Sequence, residues 1–237
     1  MRNVRVLAWK ETRNYFASPM AYVIGAVFVA LTGHFFVGSI SSPAPEASIS
    51  GVLIPTSFAL VLWAPIASMR MLAEEQKLGT LELLLTAPLR DWEIVLGKFV
   101  ALVAMLLGIM LPTLVYVIVL VIFATPDLGP LFTGYLGLLM YGSAAASLGL
   151  FTSSVTSNQI VAGVTGAISL LFLTIAGQAS SLVSGLASVL LRGISLPTHL
   201  ESLVAGVIEV RDLVYFLTFI AFFLFLTTLS VEARRWR

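Results

Sequence analysis

Cysteine is absent from this chain, lysine occurs three times and histidine twice. Without cysteine there is no disulfide, no thiolate-ligated zinc and no thiol nucleophile. Of Lys10, Lys77 and Lys98, only Lys98 follows a glycine, and the position five before that glycine is Trp92. A G-x-x-x-x-G-K phosphate loop is therefore excluded, and with it a Walker site for ATP and Mg²⁺ in this polypeptide. His34 and His199 cannot form an H-E-x-x-H zinc motif. A metal shared between them is conceivable, but the ordinary reading of each is a hydrogen-bonded histidine at a membrane edge, so no metal site and no cofactor are expected. No serine has a recognisable partner base, and catalytic residues are expected to be none. Charge is scarce as well: 12 acidic and 13 basic side chains make up 11% of 237 residues. Soluble domains carry about a quarter.

What fills the chain is apolar. Hydrophobic residues make up 59% and the mean hydropathy is +1.02, so the chain reads as an all-α integral membrane protein. The lipid bilayer is its main environment, and no nucleic-acid partner is expected. No cleavable signal peptide is expected, because the first apolar run is too long for a signal h-region. A crossing helix needs about 20 apolar residues, and six such spans are predicted, at about 19–40, 52–72, 99–124, 131–154, 159–177 and 213–231. Ser18 and Pro19 supply an N-cap and first helical position for the first span. The charge-free interval between Asp127 and Arg192 holds two spans split by "SVTSNQ", and a leftover apolar piece, Leu182 to Leu191, too short to cross.

The positive-inside rule counts that piece out as a seventh span. With six spans, one side holds Arg2, Arg5, Lys10, Arg13, Arg70, Lys77, Arg90, Lys98, Arg234, Arg235 and Arg237, and the other only Arg192 and Arg211. The expected topology has both termini in the cytoplasm and a re-entrant or interfacial element on the outer side between helices five and six. Residues 1–17 read as an interfacial helix, with Val4, Leu7, Ala8 and Tyr15 on one face and Trp9 and Phe16 at headgroup level; a disordered basic tail is the alternative. Small residues spaced by four, Ala145/Gly149 and Ala162/Gly166, permit close helix approach. Packing within one protomer is their expected use, with a dimer seam as the alternative. One domain accounts for residues 1–237, and no internal repeat is visible.

Ion-coupled carriers place Asp, Glu, Lys or Arg on the pathway inside the membrane, and here none lies in the middle of a span. The hydroxyls of Thr32, Ser57, Ser68, Ser143 and Ser147 can return to helix carbonyls. Any work the chain does has to be driven from outside it.

The sharply punctuated stretch is "EEQKLGTLELLLTAP", residues 74–88. Gly79 suits a left-handed helix close, Thr80 an N-cap, and Glu82 the first turn of a new helix, where the dipole favours a carboxylate. Pro88 stops that helix, and Asp91 can cap the next. Two turns, about 10 Å long, are expected on the cytoplasmic side, with Leu81, Leu84 and Leu85 on one face. That face wants a groove, either in the chain's own neighbours or in a partner. Arg70–Glu74 and Glu74–Lys77 can pair locally. Glu74 and Glu75 nevertheless oppose the dipole at a helix end. Unless the helix bends there, they are better used on bases of another protein.

The run "RMLAEEQKLGTLELLLTAPLRDWEIVLGKF" resembles the signature of type-2 ABC transporter permeases, in particular the gliding-motility type. "KETRNYFASPMAYVI" and "PTHLESLVAGVIEVRDLVYFLTF" with its Arg-rich tail extend the resemblance over essentially the whole chain. It implies a permease in the bacterial cytoplasmic (inner) membrane, paired with a second copy or a related permease. Two separately encoded ATP-binding subunits would hold the ATP and Mg²⁺. It also implies that segment 74–91 contains a coupling helix docking on the ATPase, with Glu74, Glu75, Gly79, Thr80, Glu82, Leu83 and Pro88 as coupling residues. An auxiliary membrane protein with a large outer domain is a further partner the resemblance suggests. The expected function is the membrane subunit of an ATP-driven exporter, without enzymatic activity of its own. The alternative is a non-transporting membrane scaffold that anchors a cytoplasmic ATPase in cell-surface or motility machinery.

Overall fold

The computed structural model describes residues 2–41, 50–86, 88–123 and 127–235. Ala124 at the end of the predicted third span, Arg237 and the side chains of Arg2, Leu85 and Arg235 lie outside the described residues. The chain folds as α1 (Arg2–Ala17), α2 (Pro19–Ile40), α3 (Ser50–Ser68), α4 (Ala73–Leu78), α5 (Thr80–Thr86), α6 (Asp91–Met110), a 3₁₀ turn (Leu111–Thr113), α7 (Leu114–Phe123), α8 (Leu128–Val155), α9 (Gln159–Ala179), α10 (Leu186–Ile194), α11 (Leu196–Val204) and α12 (Val210–Arg235). Among the described residues, six stretches are long and apolar enough to cross a membrane: α2, α3 with α4, α6 through α7, α8, α9 and α12. No strand occurs among the described residues.

Caps set several boundaries. Ser18 Oγ accepts from the Met20 amide with Pro19 at the first position, as the sequence predicts. Asp127 accepts from the Gly129 amide at 3.0 Å, which starts α8 three residues before the predicted Leu131. Asn158, the polar residue of the "SVTSNQ" break, caps α9 through the Ile160 amide at 2.9 Å. Thr32, Ser57, Ser68 and Ser147 do return their hydroxyls to carbonyls one turn back.

The core is built around α8, on which α3, α6, α9, α11 and α12 all pack. Small side chains make this possible. A Cβ on Gly149 would fall 2.1 Å from Ser68 Oγ, and one on Gly142 would fall 2.6 Å from Leu106 Cδ2. Gly166 similarly faces Thr152 and Pro65. The predicted small-residue spacings thus serve packing inside the protomer, letting backbones approach where larger residues would hold them apart. α2 packs mainly on α3, and Phe36 stacks on Tyr116 of α7 with ring centroids 4.8 Å apart.

Hydrogen bonds and packing sort the loops to two ends of the bundle. α1, α4, α5, the start of α6 and the end of α12 gather at one end, where α8 finishes. α10 and α11 lie at the other, where α8 begins. The leftover apolar piece holds one short helix, α10, and a second helix that the sequence reading did not include, α11, follows it. Gly185, at φ 74°, ends the preceding turn, so α10 begins at Leu186 rather than Leu182. Ser195 and Pro197 then open α11, whose Leu196, His199, Leu200, Leu203 and Val204 are buried.

Candidate functional site

The punctuated segment lies where α3 gives way to α4. Residues 69–72 turn rather than continue the helix, which frees backbone amides that would otherwise bond one turn back. Ser153 on α8 fills the gap: its hydroxyl oxygen accepts from the Leu72 and Ala73 amides at 3.1 and 3.0 Å and donates to the Met69 carbonyl at 3.0 Å. The Gln76 amide group adds a bond to the Ser154 carbonyl at 2.8 Å, and Arg234 reaches the same carbonyl at 3.1 Å. The break in the second span is thereby fixed to the end of α8.

Gly79 closes α4 in the left-handed region, φ 69° and ψ 5°, with its amide on the Gln76 carbonyl. Most side chains resist that conformation because Cβ meets the carbonyl. The predicted C-cap is therefore realised. Thr80 is the first residue of α5, and instead of an N-cap bond it donates back to the Glu75 carbonyl at 3.4 Å.

α5 has two turns, as the spacing predicts, but its faces are divided differently. Leu81 is 4% exposed and Leu84 is packed against the core, so these leucines cover the chain's own interior. Leu78 and Leu83 point outward, 66% and 71% exposed, beside exposed Glu82. Pro88 follows and lines an open crevice of about 430 Å³ with Leu89, Arg90, Trp92 and Glu232. Asp91 is the first residue of α6, not its cap; the cap position is Arg90, whose amide is accepted by Glu93 at 3.1 Å.

The two glutamates meet bases within the chain, because the helix does bend at this point. Arg70 grips Glu74 with two bonds of 2.8 and 3.0 Å. Glu75 takes the ammonium of Lys98 at 2.7 Å, and Glu11 of α1 stands 3.5 Å from the same nitrogen. Lys98 is only 1% exposed. A buried ammonium is tolerable only when paired, and this pairing carries α6 back through Lys98 to Asp91, eight residues before the predicted Phe99. One ion-pair cluster thus joins α1, α4 and α6. Tyr15 completes it: its hydroxyl donates to the Ala67 carbonyl, and burial raises its pKa above the ordinary phenol value.

Glu74, Glu75, Thr80, Glu82 and Leu83 therefore fall within two consecutive short helices, with Gly79 at the junction between them and Pro88 in the link that follows. Lys98, Glu11, Tyr15 and Ser153, which hold those helices in place, were not among the sequence candidates. Lys98 carried a usable signal, since it is a lone charge at the mouth of an apolar run. Ser153 carried none, because its role depends on where α3 breaks.

The two histidines lie apart in role. His34 is exposed beside Phe35. His199 Nδ1 is 2.7 Å from Asp212 Oδ1, and no group of three His, Asp or Glu residues able to hold a metal occurs among the described residues.

Comparison with known proteins covers most of the chain. The sequence profile described as ABC-2 type transporter covers residues 2–195. The chain is similar to the probable multidrug ABC transporter permease YbhR of Escherichia coli K12, with 29% identity over 117 residues, 48% of this chain and 31% of that protein. The protein of the same description in Escherichia coli O157:H7 gives the same figures. The chain thus spans about a third of the length of the curated relatives it matches.

Proposed function

This chain belongs to the ABC-2 type transporter family, as a multi-pass membrane subunit, and we propose that it is the permease half of an exporter driven by a separate ATP-binding subunit that docks on α5. The reading rests on one observation above the rest. α5 stands between a left-handed glycine and a proline stop, with its Leu83 and the last residue of α4, Leu78, facing outward. Two exposed leucines on a sharply bounded helix pair at the charged end of the bundle offer an apolar foothold that a partner's groove can cover. The preceding helix α4, on which α5 packs, is tied to α6 and α1 through the Glu75–Lys98–Glu11 cluster. A push on α5 would then be carried to one membrane-crossing helix and one surface helix together.

In this reading the end bearing α1, α4, α5 and the end of α12 is cytoplasmic, in agreement with the bias of eleven basic residues against two. The membrane is the bacterial inner membrane, and ATP and Mg²⁺ bind only to the partner. A second copy or a related permease completes the pathway. The name of the Escherichia coli relatives suggests small drugs as cargo.

The test is co-purification from the native host's membranes. The wild-type chain is expected to bring down a Walker-motif ATPase, and reconstituted vesicles to move substrate with ATP. Leu83→Asp, a change at an exposed position, is expected to lose the ATPase while keeping helicity and melting temperature. Equal ATPase recovery with wild type and Leu83→Asp overturns the docking assignment. ATPase recruitment without ATP-dependent movement of any cargo favours the scaffold role instead.

A further inference from the structure

α1 sorts its charges between two faces. The inward face lies along α6. There the Asn3 amide group donates to Glu93 at 3.2 Å, and Leu7 sits so close that a Cβ on Gly97 would fall 2.8 Å from its Cδ2. Glu11, the one acidic residue of the helix, is on this face as well and meets Lys98 at 3.5 Å. The outward face carries Arg5, Val6, Trp9, Lys10 and Arg13, all exposed, with the indole of Trp9 73% open. Arg5, Lys10 and Arg13 have no ion-pair or hydrogen-bond partner for their side chains among the described residues. Both nearby carboxylates, Glu11 and Glu93, are already engaged on the other side.

Spacing gathers the outward residues. Arg5 and Arg13 stand one turn to either side of Trp9, with Cβ separations of about 5–6 Å, and Val6 and Lys10 flank the indole. Depth follows from α6. Together with α7 it makes a stretch of 33 residues, about 50 Å at the helical rise. The hydrocarbon core is about 30 Å thick, and about 40–45 Å with the headgroups. The first turns of α6 therefore pass through the headgroup layer, and α1 lies along them. An indole suits that layer, with its apolar body and polar tip. Free bases beside it call for an anion, and a zwitterionic head arrives with a cation of its own.

We propose that the outward face of α1 binds the headgroups of anionic phospholipids. Their phosphates take the guanidinium groups of Arg5 and Arg13, each of which offers paired N–H donors. Trp9 and Val6 enter between the lipids, and Lys10 adds charge. Each base near an anionic surface contributes about fivefold in affinity. The face is separate from α5 docking and is tested without any ATPase, so its failure would leave the docking assignment untouched.

The experiment counts lipids bound to the full chain by native mass spectrometry, as phosphatidylglycerol or phosphatidylcholine is titrated into its detergent micelles. Wild type is expected to bind phosphatidylglycerol at least about tenfold more tightly. The triple variant Arg5→Gln, Lys10→Gln, Arg13→Gln breaks no contact within the chain and is expected to bind both lipids alike. A second measurement needs no charge variant. In nanodiscs, dibrominated phosphatidylglycerol is expected to quench the Trp9 emission, taken as the part lost in Trp9→Phe, more than dibrominated phosphatidylcholine at the same mole fraction. Equal affinity of wild type for the two lipids, or equal quenching by them, overturns the proposal and leaves an acidic protein surface as the match for this face. A preference that survives in the triple variant places the anionic site elsewhere and overturns it too. Displacement of the lipid by an equal concentration of soluble glycerophosphoglycerol overturns the lipid assignment in favour of a free phosphodiester.

Discussion

Lys98 and Glu75 lie 23 residues apart in sequence and 2.7 Å apart in space, with the lysine side chain almost wholly out of solvent. Removing one partner of a buried pair leaves the other charge stranded, at a cost of about 3–5 kcal/mol. Glu11, at 3.5 Å, softens that cost when Glu75 is the residue removed. Glu75→Gln is therefore expected to destabilise less than Lys98→Ala, which strands two carboxylates. The double variant Lys98→Met with Glu75→Gln is expected to recover part of the loss. Thermal melting of the purified chain, analysed as a double-mutant cycle, checks this; strictly additive losses would mean the two groups are not coupled.

Gly79 offers a second test, this time of backbone rather than charge. Nothing lies within 4 Å of a Cβ built at this position, so a substitution there meets strain without a clash. Gly79→Val is expected to cost about 1–2 kcal/mol, and to reduce ATP hydrolysis coupled to transport in the assembled complex. Asn tolerates the left-handed region better than other residues, so Gly79→Asn is expected to retain most of the activity. Equal loss in both variants would locate the requirement in space or chemistry instead of φ.

How far the sequence revealed this arrangement depends on the range of the interactions. The six crossings were legible because about 20 apolar residues in a row have few other fates, and local caps at Ser18 and Gly79 were legible because capping is a matter of neighbouring residues. The division of faces on α5 was not, since which leucines turn inward depends on how the α3–α4 break aims the helix. Lys98 marks the limit most clearly. Its charge suggested that the third span begins after it, whereas Glu75 and Glu11, distant in sequence, neutralise it and let α6 start at Asp91. α11 was missed for a different reason. Leu196, His199, Leu200, Leu203 and Val204 follow helical spacing, but Arg192, His199 and Glu201 interrupt the apolar run and give the stretch the appearance of a loop.

That overlooked helix carries the last prediction. Asp212, fully buried at the start of α12, receives His199 at 2.7 Å, the Ser202 hydroxyl and Arg211 at 3.4 Å. The His199 ring also stacks on Tyr215, centroids 3.8 Å apart, and the Tyr215 hydroxyl donates to the Ile194 carbonyl at 2.8 Å. One carboxylate thus gathers α11 and α12, and the adjacent Tyr215 extends the contact to the end of α10. Asp212→Ala leaves three donors around an empty place and is expected to cost about 1–3 kcal/mol or more. His199→Phe keeps the ring on Tyr215 and leaves Asp212 with Ser202 and Arg211, so its cost is expected to be the smaller. Hydrogen exchange read by mass spectrometry distinguishes a local latch from general instability. Residues 186–204 are expected to exchange faster in Asp212→Ala, with 73–86 at the opposite end unchanged. Acceleration spread evenly over both ends would make Asp212 a support of the whole bundle. No change at 186–204 would mean that apolar packing of α11 on α8 suffices without it.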